Sequence, residues 1–345
     1  MLIIRPIDHN DLSALEQLAR SAAGGTTTLP DNRDYLSELI NQTQLALHQP
    51  VDRAGSESYH FVLQDSASDE IIGIAGIDAS VGLKTPFYSY RIDEIIHASA
   101  ELQIHNRVPA LHLCQDYTGA TRLCTLFIKP DQRTPANLHL LSRARMLFMA
   151  PNLQRFGRRT IAELQGMMDE QGRSPFWECL GRHFFDMEFA RANYLTGINS
   201  KAFIADLMPH YPVYTTLLSE EARQSLGQVR PDVEEVLDLL LDEGFKDRGY
   251  VDIFDAGPTV ESRTDDLRSV YDSRTLPCEI SDKADTGEQW WLVANDKWRD
   301  YRAMLVQGSA EAPVLTAAQA EQLKLNSGDS MRAMAMDSAD LGFSQ

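Results

Sequence analysis

The sequence has few cysteines and no spacing that would pair them or hold a metal. Its 345 residues include four cysteines and nine histidines. No two cysteines form a C-x-x-C pair, and no histidines show the H-E-x-x-H spacing of a zinc site. We therefore expect neither a disulfide scaffold nor a structural metal, and the cysteine usage is that of a reduced, cytoplasmic protein.

Long apolar runs are also missing. No stretch reaches the roughly 18 consecutive apolar residues that indicate a transmembrane helix. The apolar residues at the start of the chain are soon followed by Arg5, Pro6 and Asp8. We expect neither a membrane-spanning helix nor a secretory signal.

Positively charged residues are also scarce relative to negatively charged ones. The chain has 32 Lys+Arg against 50 Asp+Glu, which gives a formal net charge of -18. Binding to nucleic acid or to an anionic membrane surface needs a surplus of Lys and Arg. Neither is expected as a partner, and any polyanionic ligand requires a local basic pocket.

The first part of the chain combines strand and helix patterns. Apolar residues recur at spacings of three and four in the helical segments and run continuously in the strands. In chain order we predict a strand over 2–7, a helix begun by Asn10 or Asp11 and ended by Gly24-Gly25, a helix over 31–47, and strands over Tyr59–Gln64 and Ile71–Val81. Residues 85–110 show no clear pattern.

The later part continues the mixture. The run RLCTLFIKP (122–130) predicts a buried strand ended by Pro130. A helix follows from about Ala136 to Ala150, with Arg143 and Arg145 on faces other than its apolar one. The remaining predicted elements are a strand near 159–168, a helix near 174–185, an amphipathic helix over 233–243 ended by Gly244, and a closing strand in YVDIFDAGP.

Together these patterns predict an α+β (mixed α/β) fold. After about residue 262, charged turns and short apolar runs predominate. We predict two domains, 1–260 and 261–345, the second being a small β-rich region.

The strand–turn–helix at 123–148 is the first candidate site. A helix N-terminus offers backbone N–H groups and the positive end of the helix dipole, which favour a phosphate. Arg133 lies in the turn, so a pyrophosphate has a basic site here despite the net charge. An ordinary connection between a strand and a helix explains the same pattern, and the loop is not rich in glycine.

Several strings resemble a known family. The opening IIRPIDHNDLSALEQLA and the strand–turn–helix at 123–148 resemble the GNAT acyltransferase superfamily. Longer strings, spread from residue 1 to about 330, are similar to arginine N-succinyltransferases, including the paired subunits of arginine/ornithine succinyltransferase: HASAELQIHN (97–106), LCTLF (123–127), SPFWECLGRHFF (174–185), FIADLMPHYPVY (203–214), GQVRP (227–231) and YVDIFDAGPT (250–259). The resemblance implies a GNAT-like core over 1–260, and two similar helix endings leave open whether that core is duplicated.

The resemblance also implies a reaction. A succinyl group passes from succinyl-CoA to the α-amino group of L-arginine by direct attack on the thioester, so succinyl-CoA is a co-substrate and no cofactor stays bound. The family's succinyl-CoA-binding position falls on Leu126, which is apolar and would act through its main chain; Phe127 and Arg133 are the other predicted contacts. The tetrahedral oxyanion needs preplaced donors, commonly backbone N–H groups of the core strand.

The sequence departs from the family pattern at two places. The family string Gly-Gln-Val-His-Pro supplies a histidine as proton donor, and Arg230 stands at that position. An arginine stays protonated and cannot shuttle protons, but it suits an oxyanion, the succinyl carboxylate or a CoA phosphate; a surface arginine before a helix explains it equally well. Many members also have glycines where Ala136 and Leu138 stand here.

A guanidinium substrate calls for a carboxylate. Glu101 and Asp116 meet that need, and together with His97 and Asn106 they are the predicted substrate-binding residues. Structural capping and turn hydrogen bonds explain each of the four as well. Asp252 and Asp255 are either substrate-facing or turn-forming.

Two alternatives stand beside the enzyme. Arg230, Ala136 and Leu138 favour a catalytically weak or inactive partner subunit of an arginine/ornithine succinyltransferase. An acyltransferase with another amine or acyl preference is the other alternative. A homo- or hetero-oligomer is compatible with each hypothesis.

Overall fold

The computed structural model describes residues 1–22, 29–185, 187–198, 207–283 and 287–343. They fall into two compact units. The first unit comprises Met1–Ala79, Leu123–Arg158 and Arg263–Gln345, and the second comprises Ser80–Arg122 and Arg159–Ser262. The predicted helix end at Gly24-Gly25 lies outside the described residues, as do residues 203–206 of the string at 203–214.

Strands and helices are mixed in both units, as an α+β fold requires. The strands are β1 (Leu2–Pro6), β2 (Ser58–Asp65), β3 (Glu70–Asp78), β4 (Ser89–Ser99), β5 (Ile104–Cys114), β6 (Thr121–Ile128), β7 (Arg159–Glu163), β8 (Val213–Tyr214), β9 (Lys246–Val251), β10 (Pro258–Arg263), β11 (Arg274–Pro277), β12 (Ile280–Ser281), β13 (Gln289–Asn295), β14 (Ala303–Gly308), β15 (Leu315–Thr316) and β16 (Ser330–Met336). The helices are α1 (Leu12–Ser21), α2 (Arg33–His48), α3 (Pro135–Met149), α4 (Arg182–Phe185), α5 (Phe189–Ile198), α6 (Glu220–Ser225), α7 (Glu234–Asp242), α8 (Arg268–Tyr271) and α9 (Ala317–Gln322).

The first unit is built on a mostly antiparallel sheet. Its strand order is β11-β16-β13-β14-β1-β2-β3-β6, and each pair from β11 to β3 is antiparallel. The short strands β12 and β15 form a separate parallel pair. The predicted hairpin is confirmed by β2 and β3, whose apolar residues are buried on both faces.

Helices α1 and α2 start close to the predicted positions. Asp11, one of the two predicted residues, is the N-cap of α1, although its side chain makes no capping hydrogen bond to that helix. A short 3₁₀ turn (His9–Asp11) precedes the helix and is capped by the Asp8 side chain. The Asp8 side chain accepts the amide of Asn10, and the Asp11 carboxylate accepts the amide of Asp8 at 2.8 Å. This reciprocal arrangement is a capping box. Helix α2 is capped by the Asn32 side chain.

Helix α3 is buried on nearly all sides. Every residue from Asn137 to Met149 is buried, and the side chains of Arg143 and Arg145 are included, with 0% and 2% exposure. The prediction that these arginines lie on faces away from the core is wrong, because this helix has no solvent-facing side for them to occupy. Their charge must be compensated inside the unit.

The second unit contains a long hairpin that the sequence did not reveal. Its strand order is β7-β10-β9-β4-β5-β8, and β4 and β5 pair antiparallel over eleven residue pairs, from Ser89 opposite Cys114 to Ser99 opposite Ile104. The outer half of the hairpin is exposed on both faces. It therefore lacks the alternation of a half-buried strand, which is why 85–110 gives no clear pattern.

The helices of the second unit pack around an aromatic core. The segment predicted as one helix at 174–185 is a π-helix (Trp177–Gly181) followed by α4, and Trp177 stacks on Phe185 and Phe254. The amphipathic helix at 233–243 is confirmed as α7. It ends at Gly244, whose φ of 96° suits glycine alone.

The described residues contain neither a candidate membrane-spanning helix nor a candidate metal site. None of their helices is long and apolar enough to cross a membrane. The same part of the chain holds no group of three His, Cys, Asp or Glu side chains placed to bind a metal ion.

Candidate active site

The predicted site residues divide between the two units. Leu126, Phe127 and Arg133 belong to the first unit. The second unit contains the predicted substrate-binding residues and the arginine at the family's histidine position: His97, Glu101, Asn106, Asp116 and Arg230.

Strand β6 is distorted directly before Leu126. Thr125 has a φ of +53° although it lies inside the strand and carries a branched β-carbon. Residues of this kind rarely adopt the left-handed region, and holding one there costs about 1–3 kcal/mol. A left-handed residue inside a strand is characteristic of a β-bulge, which turns the following peptide group away from the regular ladder. Here that group carries the N–H of Leu126.

Leu126 and Phe127 are both half-buried. Phe127 packs against the apolar cluster formed with α1 and α2. The position that the resemblance assigns to succinyl-CoA therefore combines partly accessible side chains with a distorted backbone. Its main chain, rather than its apolar side chain, has the chemistry to bind an oxygen.

The turn after β6 leads into α3 with its capping groups already engaged. The Thr134 hydroxyl accepts the amide of Asn137 at 3.2 Å, and Pro135 has no N–H to donate. Arg133 is exposed in the turn, and Ala136 is half-buried. Leu138 is 2% exposed and packs into the core. The basic group at this turn is thus Arg133, and the helix N-terminus offers a phosphate few donors.

Arg230 lies on a segment held firmly by its backbone. Its amide donates to the carbonyl of Gln165 at 3.0 Å, and the preceding Val229 forms a β-bridge with Gly166. The guanidinium of Arg230 pairs with Asp232, with Nη2 2.7 Å from Oδ2. The side chain is 24% exposed, so it remains accessible to an anionic ligand.

The turn at 252–257 supports this segment. The Asp255 carboxylate accepts the amides of Gly166 at 3.0 Å and Gly257 at 2.8 Å, and Asp252 accepts the amide of Phe254 at 2.7 Å. Both aspartates are buried. Of the two interpretations left open by the sequence, the structure supports the turn-forming one.

Only glycine fits where this turn meets its neighbours. A Cβ on Gly166 would lie 2.3 Å from the Asp255 carbonyl oxygen, and one on Gly257 would lie 2.0 Å from the Leu164 carbonyl oxygen. The close approach of the two backbones explains both glycines and fixes the base of the Arg230 segment.

His97 and Asn106 face each other across the long hairpin. They are register partners in β4 and β5, and both are exposed. The His97 ring lies 5.5 Å from the ring of Tyr214. Glu101 is exposed in the turn that joins the two strands.

Asp116 lies beyond the other end of the same hairpin. It accepts hydrogen bonds from the Tyr250 hydroxyl at 2.8 Å and from Arg91 at 3.3 Å, and Arg91 also pairs with Asp93 at 2.6 Å. The hydrogen bond with Asp93 raises the pKa of Arg91, and burial together with the Asp116 carboxylate raises that of Tyr250. The two carboxylates already bind one guanidinium group.

The hairpin separates the predicted substrate residues. Cys114 follows Asn106 by eight residues, and a strand rises about 3.3 Å per residue, so the tip is roughly 26 Å from the base. One arginine molecule cannot contact both Asn106 and Asp116. The structure brings His97 and Asn106 together and keeps Asp116 apart.

Sequence reasoning missed three residues that shape the backbone directly before Leu126. These are Thr125, with its unusual backbone, and the buried His60 and Arg145. A histidine between Tyr59 and Phe61 in an apolar strand, and an arginine inside a mostly apolar helix, were the available signals.

The chain is similar to known proteins over nearly its whole length. The family model described as "Arginine N-succinyltransferase beta subunit" matches residues 2–269, and that of its C-terminal domain matches 274–335. The chain is 45% identical over 343 residues to the arginine N-succinyltransferase subunit beta of Pseudomonas aeruginosa, covering 99% of this chain and 100% of that one. It is 43% identical to the arginine N-succinyltransferase of Citrobacter koseri, covering 96% and 97% of the two chains.

A solved structure is similar as well. It is subunit AI of the arginine/ornithine succinyltransferase of Pseudomonas aeruginosa, with a TM-score of 0.89 and 39% sequence identity. The match covers 97% of this chain and 98% of the other.

Proposed function

The chain belongs to the arginine N-succinyltransferase family, and from this we propose that it transfers the succinyl group of succinyl-CoA to the α-amino group of L-arginine. The amine, once deprotonated, attacks the thioester carbonyl. A C–N bond forms, the C–S bond breaks, and the departing thiolate takes up a proton. No covalent intermediate with the enzyme is needed.

The distorted backbone at Thr125 is the observation that best supports this chemistry. Attack on the thioester places negative charge on the carbonyl oxygen, and an N–H group fixed in advance stabilises that charge most effectively. The amide of Leu126 directly follows the left-handed Thr125, at the position that the family uses for succinyl-CoA. We assign this amide to the oxyanion, Phe127 to the packing of the acyl chain, and Arg133 to a phosphate of CoA.

Arg230 holds charge and does not move protons. Its guanidinium is partly exposed and pairs with Asp232, and a bidentate contact with a carboxylate is the interaction that arginine makes best. We assign it to the succinyl carboxylate, which would replace Asp232 as partner. The general base is then another group.

We assign Asp116 as the residue that binds the guanidinium of the substrate. Hydrogen bonds from Tyr250 and Arg91 fix the orientation of this carboxylate. Glu101, which is also exposed in a turn, lies at the tip of the hairpin. His97 and Asn106, at the hairpin tip, remain candidates for a contact with another part of the substrate. The net charge of -18 favours approach of a cationic amine.

The comparisons do not favour an inactive partner subunit, because relatives of nearly the same length carry the name of the enzyme itself. Acceptance of L-ornithine and assembly into a homo- or hetero-oligomer are further parts of our proposal, supported by the names of the similar subunits. A cytoplasmic location, also part of our proposal, agrees with four cysteines that form no disulfide in the described part of the chain.

Two proposals concern the domains. A division into 1–260 and 261–345 is supported by family models that meet between residues 269 and 274. A GNAT-like core is supported in the first unit by β1, α1, α2, β2 and β3, followed by the strand–turn–helix of β6 and α3. Its duplication rests on the two similar helix endings alone.

Release of free thiol from succinyl-CoA tests the function. Purified protein is mixed with succinyl-CoA or acetyl-CoA and with L-arginine, L-ornithine or L-lysine, and the acylated product is identified by mass spectrometry. We expect thiol release with succinyl-CoA and L-arginine, and a product succinylated at the α-amino group. Equal rates with and without an amine would contradict the proposal.

A further inference from the structure

A buried polar cluster surrounds the left-handed Thr125 of β6, entirely within the first unit. It contains His60 on β2, Gly76 on β3, Cys124 and Thr125 on β6, and Arg145 on α3. The side chains of His60, Thr125 and Arg145 are at most 4% exposed. Burying one charged and two polar side chains is unfavourable unless each is hydrogen-bonded. The hydrogen bonds within the cluster therefore indicate its structural role.

Arg145 binds the main chain on two neighbouring strands. Its Nη1 atom donates to the carbonyl oxygens of Cys124 at 3.0 Å and Gly76 at 3.2 Å, while its other nitrogens donate to the carbonyl and hydroxyl of Ser142. Burial lowers the pKa of Arg145 to about 10, which still leaves the group charged at neutral pH. A buried cation that binds carbonyl oxygens fixes their direction.

His60 holds the same strand through a side chain. Its Nε2 atom lies 3.4 Å from the Thr125 hydroxyl, and its Nδ1 atom lies 3.4 Å from the hydroxyls of Thr43 and Ser58. The ring fits because residue 76 is glycine, since a Cβ there would lie 2.5 Å from Nε2. The contacts of Nδ1 and the close approach to Gly76 therefore fix the orientation of the His60 ring, and the Nε2 atom of this ring faces the Thr125 hydroxyl.

The two contacts act on adjacent parts of the backbone. Arg145 orients the peptide group between Cys124 and Thr125, and His60 orients the side chain of Thr125 itself. Only the ψ angle of Thr125 then remains to set the direction of the Leu126 amide. We propose that Arg145 and His60 are positioning residues that hold the left-handed conformation of Thr125 and so aim this amide at the reacting carbonyl. The inference rests on the proposed function for its catalytic consequence, but the geometry it describes does not.

The test compares the two buried arginines of α3. Arg145→Lys keeps the charge but cannot reach two carbonyls and Ser142 together, whereas Arg143→Lys changes an equally buried arginine that pairs with Asp340. We expect kcat to fall roughly 10- to 100-fold in Arg145→Lys, because a misplacement near 1 Å costs about that much. The KM for succinyl-CoA should stay within about twofold, since the amide acts mainly on the transition state. Arg143→Lys should lower the Tm by about as much as Arg145→Lys does, but it should leave kcat unchanged.

His60 provides an independent pair of variants. In His60→Gln the amide nitrogen replaces Nε2 and retains the contact with Thr125, whereas in His60→Asn it replaces Nδ1 and loses that contact. We expect kcat to be at least tenfold lower in His60→Asn than in His60→Gln. Equal kcat in Arg145→Lys and Arg143→Lys, or in the two His60 variants, would overturn the proposal.

Hydrogen exchange separates this inference from the proposed function. Deuterium uptake of a peptide covering residues 121–128 should rise in Arg145→Lys and not in Arg143→Lys, whether or not the protein turns over arginine. Unchanged uptake in Arg145→Lys would overturn the positioning role. A wild-type protein without turnover but with this difference in uptake would refute the function and leave the geometry standing.

Discussion

The Nη1 atom of Arg145 lies 3.0 Å from the carbonyl oxygen of Cys124, the residue directly before the left-handed Thr125. A charged side chain buried in helix α3 is thereby connected to the strand that carries Leu126. The contact relates the unusual burial of a cation to the unusual backbone of its neighbour. Each is unfavourable alone, and together they fix one peptide group.

Replacing Thr125 by glycine should separate backbone strain from function. Glycine adopts a positive φ freely, so the substitution removes about 1–2 kcal/mol of backbone strain. This gain in stability offsets the loss of the buried side chain. We expect the free energy of unfolding in urea to stay within about 1 kcal/mol of the wild type while kcat falls. Thr125→Val, which keeps the branched shape, serves as the control and should be the less stable variant. Full activity in Thr125→Gly would contradict the role of the held bulge.

Replacing Arg230 by histidine should change the pH dependence of the reaction. Histidine titrates near pH 6.5 and arginine does not titrate in the working range. We expect the pH profile of kcat/KM to gain an inflection between about pH 6 and 7 in Arg230→His. The control, Arg230→Lys, keeps the charge and should show no such inflection. Identical profiles for all three proteins would argue against contact between this side chain and the substrate.

Asp116 and Glu101 can be distinguished by the KM for L-arginine. Loss of a charged hydrogen bond to a guanidinium weakens binding by about 1.5–3 kcal/mol, or roughly 10- to 100-fold. We expect an increase of that size in Asp116→Asn and less than a twofold change in Glu101→Gln. The reverse result would move the guanidinium site to the hairpin tip.

Gly166→Ala should destabilise the turn that supports the Arg230 segment. The new Cβ would lie 2.3 Å from the Asp255 carbonyl oxygen, so the backbone must shift, at a cost of about 3 kcal/mol. Gly172→Ala is the matched control, since its φ is +72° but nothing lies within 4 Å of an added Cβ. That variant should lose only about 1–2 kcal/mol. Urea denaturation measures both, and equal losses would show that the contact is easily relieved.

The pair of Lys324 and Asp300 should contribute stability that depends on pH. Lys324 donates to Asp300 at 2.6 Å, and this hydrogen bond lowers the pKa of the carboxyl from 3.8. A carboxyl with a lowered folded-state pKa stabilises the protein above its unfolded pKa, and the gain is lost as the pH falls through the folded value. Asp300→Asn should therefore be less stable than the wild type at pH 7, by less than about 1 kcal/mol because the pair is exposed. The difference should begin to shrink as the pH falls towards about 3.8 and should vanish once the pH is below the lowered folded-state pKa. At pH 7 it should be smaller in a Lys324→Gln background.

Much of the secondary structure could be predicted because its causes are local. Helix α7 follows from apolar residues at helical spacing and from Gly244 at its end, and β6 follows from a continuous apolar run stopped by Pro130. The hairpin of β4 and β5 could not be predicted. Its outer half is exposed on both faces, so its residues carry no periodic signal.

The candidate site was predictable only at the level of residue identity. The strings around Leu126 and Arg230 indicated the family. They did not reveal that Asp252 and Asp255 form a turn, or that Asn106 and Asp116 lie at opposite ends of one hairpin. The turn depends partly on a contact between Asp255 and the distant Gly166. The separation of Asn106 and Asp116 depends on strand register, which a single sequence does not specify for an exposed ribbon.

The sequence by itself determined the family, the acidic character and most helices and strands, because short windows of residues and the overall composition are sufficient for these. The tertiary structure decided where the arginines of α3 lie and how Thr125 is held. His60 is 65 residues from Thr125 along the chain, and Arg145 is 69 residues from Gly76. A left-handed φ at a β-branched residue is unfavourable locally, so only contacts of this range make it the stable conformation.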